Sequence, residues 1–214
     1  MFGRRPAIDD GPQKPAPKTE PVAVAGTPCG SLGKVLARAF REPKAEILHL
    51  GPLCGDSVVY LASRGARVSV EDFVPPPPTP PRQPGEIMIE KAPIHFDYES
   101  GRFHLILAWE LADFVPPDRL HDFGAELLRM TKDGGWLFLF AHAKPPSNLE
   151  PLTRYRLLAD DLLVRESCET DPMPRYVHPN RDLERAFTGL SIQSIQLQRS
   201  QMREIVALKA GVGA

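Results

Sequence analysis

A chain of 214 residues with 42% apolar side chains can bury one sizeable core, and a formal net charge of -1 from 26 basic and 27 acidic residues gives no electrostatic pull toward nucleic acid or an anionic membrane. The three cysteines, Cys29, Cys54 and Cys168, lie far apart without a Cys-x-x-Cys pair, which argues against a metal centre or a disulfide framework and for a reducing, cytoplasmic setting. The N-terminus runs into proline, aspartate and glycine where a secretory signal needs an apolar stretch, and no apolar run is long enough to span a bilayer, so a soluble protein is expected.

Prolines number 24 and cluster. Residues 1–28 hold Pro6, Pro12, Pro15, Pro17, Pro21 and Pro28 among few large apolar residues, and are expected to form a disordered tail. From Ser31 to Arg41 the residues Leu32, Val35, Leu36, Ala39 and Phe40 repeat at helical spacing, with Ser31 placed to cap the first turn. Ala45 to Leu50 reads as a strand ending in the turn Gly51-Pro52-Leu53-Cys54-Gly55, and Asp56 to Arg64 as a helix closed by Gly65. Val68 to Val70 is a second strand leading into Glu71-Asp72. A loop over 74–85, built on Pro75-Pro76-Pro77-Pro78-Thr79-Pro80-Pro81, follows as an extended, solvated segment, a docking motif for a protein partner being the alternative reading.

Ile87 to Ile89 is expected as a third strand and Phe103 to Ala108 as a fourth, apolar enough to be covered on both faces. Asp118 to Lys132 carries Leu120, Phe123, Leu127 and Leu128 on one helical stripe, and Asp133-Gly134-Gly135 turns into a fifth strand, Trp136 to Ala141. This alternation implies right-handed crossovers and a parallel sheet. Tyr155 to Leu158 and Leu162 to Arg165 read as a polar hairpin, and Asn180 as the cap of a short helix ending at Gly189. Ser191 to Leu197 and Glu204 to Lys209 are joined too closely for a crossover and must pair antiparallel.

In such a sheet a ligand collects beyond the carboxyl ends of the strands, where Gly51, Gly55, Asp72, Glu90 and Ala108 stand. The segment Glu46-Ile-Leu-His-Leu-Gly-Pro-Leu-Cys-Gly-Asp56 resembles the first motif of the class I S-adenosylmethionine-dependent methyltransferases, Gly51 and Gly55 matching its first and third glycines. The helix, Gly-Gly turn and strand of residues 127–140 are also similar to that family, and the likeness as a pattern runs over about residues 31–209. It implies a Rossmann-like three-layer α/β sandwich over 29–214, with a mostly parallel seven-stranded sheet, a C-terminal antiparallel hairpin and an insertion at 150–178 near the substrate. It implies S-adenosylmethionine as cofactor, held by the turn Gly51, Pro52, Gly55 and Asp56, with the ribose hydroxyls on Asp72 or Glu71. Glu90 would stand beside the adenine, and Ala108 and Trp109 would line the site with Glu110.

Two positions depart from the motif: His49 stands where the family has an acid, and Leu53 where it has the middle glycine. No dedicated base is visible, and methyl transfer works by alignment and desolvation. His142, His178, Tyr155 and Arg175 follow the fifth strand or lie in the insertion, where most are expected as solvated loop residues, orienting an acceptor being the alternative. The resemblance implies a methyltransferase for an unidentified acceptor. The alternative is a catalytically inactive binding or scaffolding protein of the same fold. A nicotinamide-dependent oxidoreductase is disfavoured by the terminal hairpin and by the absence of Gly-x-Gly-x-x-Gly.

Overall fold

A computed structural model describes residues 26–73, 94–146 and 148–211. The elements in chain order are β1 (Thr27–Pro28), α1 (Gly30–Ala39), β2 (Glu46–Leu50), α2 (Gly55–Ser63), β3 (Arg67–Glu71), β4 (Phe103–Leu107), α3 (Leu120–Met130), β5 (Thr131–His142), β6 (Thr153–Ala159), β7 (Leu162–Ser167), α4 (Asn180–Ala186), β8 (Leu190–Leu197) and β9 (Met202–Lys209). The main sheet runs β3-β2-β4-β5-β9-β8. Its first four strands are parallel, and β9 is antiparallel to both β5 and β8. Six strands are therefore described where seven were expected, and the sheet is mixed. The strand expected at Ile87 to Ile89, Glu90 beside it and the loop over 74–85 lie outside the described residues.

Side chains alternate across the sheet, so each apolar strand feeds two cores. Ile47, Leu105, Leu107, Phe138 and Phe140 pack with Leu32, Val35 and Leu36 of α1 and Leu61 of α2. Leu48, Ile106, Leu137 and Leu139 pack with Phe123 and Leu127 of α3 and with Leu183 and Ala186 of α4. These are the three layers the sequence implied. Among the described residues no helix is long and apolar enough to cross a membrane.

Several local expectations are corrected. α1 begins at Gly30 with Cys29 as its N-cap, and Ser31 does not cap it: Ser31 is buried inside the first turn, where its backbone N–H donates to Glu204 Oε2 at 3.3 Å. A carboxylate from β9 thus serves the helix N-terminus, where negative charge is favoured. α3 starts at Leu120, and Pro117–Arg119 ahead of it forms a 3-10 turn instead of the first turn of the helix. Asn180 is the first residue of α4 rather than its cap, and its Oδ1 accepts from Arg203 Nη1.

The hairpin expected to be polar is half core. β6 and β7 form a second sheet of order β1-β7-β6, to which Thr27–Pro28, from the segment expected to be disordered, adds a short antiparallel strand. Tyr155, Leu157 and Leu163 point inward and are buried, leaving Arg154 and Arg156 outward. Ser57 of α2 pins the hairpin, its Oγ donating to Tyr155 O at 2.7 Å and accepting from Leu157 N at 2.9 Å. On the opposite layer α3 and α4 touch through Gly124, where an added Cβ would stand 2.1 Å from the carbonyl oxygen of Ala186. Gly124→Ala must therefore push the two helices apart. It should lower the unfolding free energy by about 1–3 kcal/mol in urea titrations at unchanged m-value.

Candidate functional site

The chain leaves β2 for β3 on one side and returns to β4 on the other, so the order reverses at the carboxyl end of β2. There Gly51 turns with φ 128°, a conformation open to glycine, and its N–H donates to Glu71 O at 2.9 Å, which holds the turn against β3. α2 follows with Cys54 as N-cap and no side-chain cap, so its first-turn N–H groups face the same end. Asp56 lies in that turn, its exposed carboxylate 3.6 Å from Arg156 of β6. Leu53 is 51% exposed, so its side chain stands out into solvent, and no described atom lies within 4 Å of where a Gly55 Cβ would be.

Asp72 is exposed just past β3, and Glu71 is half-buried beside Tyr98, whose phenol is raised by burial and then by that carboxylate. Burial also raises the Cys168 thiol at the end of β7, with Arg154 opposing and Asp72 adding. The open end of the hairpin therefore borders the same edge. Gly51, Pro52, Gly55, Asp56, Glu71 and Asp72 are thus brought together, and buried Ala108 lies just past the end of β4, the neighbouring strand.

Trp109 and Glu110 do not face this edge. Trp109, at φ 41° and 1% exposed, turns its indole into the core. It stacks on Tyr155 at 4.8 Å and 9°, with Phe140 on the same side, and Nε1 donates to His49 Nε2 at 3.1 Å. That bond places the His49 proton on Nδ1, which has no partner among the described residues. Burial pushes His49 down to about 4 from an ordinary 6.5. The position that carries an acid in the methyltransferases is here a neutral ring locked to an indole.

Glu110 is buried, accepting from the hydroxyl of Tyr155, from Arg165 Nη2 at 2.8 Å and from Arg175 Nη1. Burial works to raise its carboxyl, but Arg175 and then Arg165 outweigh that and hold it below the ordinary value. Arg175 has no exposed side-chain surface, lies over Phe114, and has Glu150 3.8 Å away as a second counter-charge. His178 is also structural, its Nε2 set between the carbonyls of Ala112 and Val115. Sequence reading missed Asp113, whose carboxylate meets His142 Nδ1 at 2.6 Å. The available signal was an acid inside the otherwise apolar run Leu111-Ala-Asp-Phe-Val115. Among the described residues no three His, Cys, Asp or Glu side chains group as metal ligands.

A buried histidine with a lowered folded pKa contributes stability above pH 6.5 that is lost as pH falls toward 4, since the unfolded chain takes the proton first. The loss should approach about 3 kcal/mol across that window, and His49→Gln should flatten the stability–pH curve there. Glu110→Gln leaves the Arg175 guanidinium buried without its main counter-charge, and should cost about 3–5 kcal/mol in denaturant titrations.

No protein-family model matches the chain, and no curated protein does. Solved structures do. An S-adenosylmethionine-dependent methyltransferase from Methanosarcina mazei superposes with a TM-score of 0.52 at 16% identity, covering 82% of this chain and 97% of the other. A TehB-like S-adenosylmethionine-dependent methyltransferase from Corynebacterium glutamicum gives 0.50 at 16%, covering 83% and 87%. The [4+2]-cyclase SpnF gives 0.50 at 10%, covering 89% and 88%. At identities of 10–16%, what the superpositions establish is the architecture: this chain has the fold of the S-adenosylmethionine-dependent methyltransferases, in which SpnF is a cyclase.

Proposed function

We propose that the chain binds S-adenosylmethionine at the carboxyl end of β2 and transfers its methyl group to an acceptor. The observation that carries this reading is the outward Leu53: the side chain that departs from the glycine motif stands in solvent, and Gly55 at the start of α2 is exposed with open space beside it. The residues present fit the cofactor. The uncapped N-terminus of α2 offers N–H donors to a carboxylate, and Asp72 offers acceptor oxygens to ribose hydroxyls. His49, neutral and tied to Trp109, supplies no charge for an ammonium group, so that role falls to exposed acids at the rim such as Asp56. The cofactor supplies an electrophilic methyl group on a sulfonium. The protein's part is to hold donor and acceptor in line and to exclude water, and the hairpin packed over the ends of β4 and β5 serves that purpose.

Calorimetry with S-adenosylhomocysteine should give a dissociation constant on the order of 10 μM, about -7 kcal/mol. Gly51→Val, which puts a branched side chain at φ 128°, should abolish the heat. Asp72→Asn should weaken binding about tenfold through the loss of charged hydrogen bonds. No heat at about 1 mM ligand with folded wild-type protein would sink the reading.

A further inference from the structure

We propose that the acceptor is a hydroxyl compound and that His142 is the base that takes its proton, with Asp113 as a positioning residue; this deepens the methyl-donor reading and rests on it. His142 ends β5, the strand beside β4 in the main sheet, and by strand alternation it falls on the face of Phe138 and Phe140. Its ring is bound at Nδ1 by Asp113 Oδ2 at 2.6 Å. The Asp113 side chain has no exposed surface, and its two oxygens also accept the backbone N–H of His142 at 3.0 and 3.3 Å. A buried carboxylate committed twice to one residue fixes both the position of that residue and the tautomer of its ring, with the proton on Nδ1. Among the described residues no partner meets Nε2, and 10% of the side chain is exposed.

The surroundings suit a proton acceptor. The Asp113 carboxylate stands directly against the ring, and the nearby Glu110 is itself matched by Arg165 and Arg175. The cation on the other side, Arg203, is saturated by the carbonyls of Ala141, His142 and His178 and by Asn180. An amine attacks with its own lone pair and a thiol ionises readily, whereas a neutral hydroxyl is a weak nucleophile that gains most from a base. In the step the acceptor O–H bond breaks and its proton passes to Nε2. The oxygen forms a bond to the methyl carbon, the carbon–sulfur bond breaks, and its electron pair returns to the sulfonium sulfur to leave a neutral thioether. The imidazolium then releases its proton to solvent.

The test uses the full chain. In proton–nitrogen spectra of histidine-labelled protein, His142 should show the Nδ1–H tautomer with a strongly downfield proton, lost in Asp113→Asn. With S-adenosylhomocysteine present, 4-nitrophenol should show the absorption band of bound phenolate. That band should fall at least tenfold in His142→Ala, and likewise in His142→Gln, which keeps an N–H for Asp113 should the smaller residue unfold the site. An Nε2–H tautomer, an absent band with wild-type protein, or equal bands in wild type and variants would overturn the proposal. Calorimetry on the same samples separates the two readings: heat from S-adenosylhomocysteine without a phenolate band overturns this one alone, and no heat overturns the methyl-donor reading together with it.

Discussion

Trp109 joins the two sheets, and much of the candidate site is positioned through it. Its indole lies flat on Tyr155 of the small sheet, and its Nε1 reaches His49 in β2. Its carbonyl takes the N–H of Phe140 in β5 at 2.7 Å. A tryptophan at φ 41° is held there only because packing over-determines it: stacking, a buried hydrogen bond and a strand bond all act on one residue. With that residue set, Glu110 follows into its pair of guanidinium groups and the turn Leu111–Phe114 carries Asp113 to His142.

The same constraint divides the top of the sheet into two kinds of surface. Toward β3 the edge carries the exposed Gly55, the first turn of α2 and exposed acids beside the buried Gly51. Toward β5 it is closed, and the buried acids there are matched, Glu110 with Arg165 and Arg175, and Asp113 with the N–H groups of His142. Burying a charge is tolerable only when it is paired.

The hairpin β6–β7 is what closes that half. It is pinned by Ser57 of α2, by Cys29 N bonding to Asp161 O at 2.7 Å, and by the pairing of Thr27–Pro28 with Leu162 and Leu163. A helix-to-hairpin serine, a cap residue and a two-residue strand are small contacts, yet they tie the insertion to the first helix and to the turn that opens the site.

The central strands were legible in the sequence, because Glu46–Leu50, Phe103–Leu107 and the apolar half of Thr131–His142 are covered on both faces and are mostly apolar. So were the Gly51–Gly55 turn and the antiparallel pair β8–β9, since turn chemistry and loop length are local properties. The inward turn of Trp109, the pairing of Glu110 with Arg165 55 residues away, and the service of the α1 N-terminus by Glu204, 173 residues beyond Ser31, left no periodic trace. Periodicity reports which face of an element meets a core, and by itself the sequence determined the layers, the terminal hairpin and the place of the Gly51–Gly55 turn. Which polar side chains meet inside is decided by elements that pack together from opposite ends of the chain, and only the tertiary structure decided that.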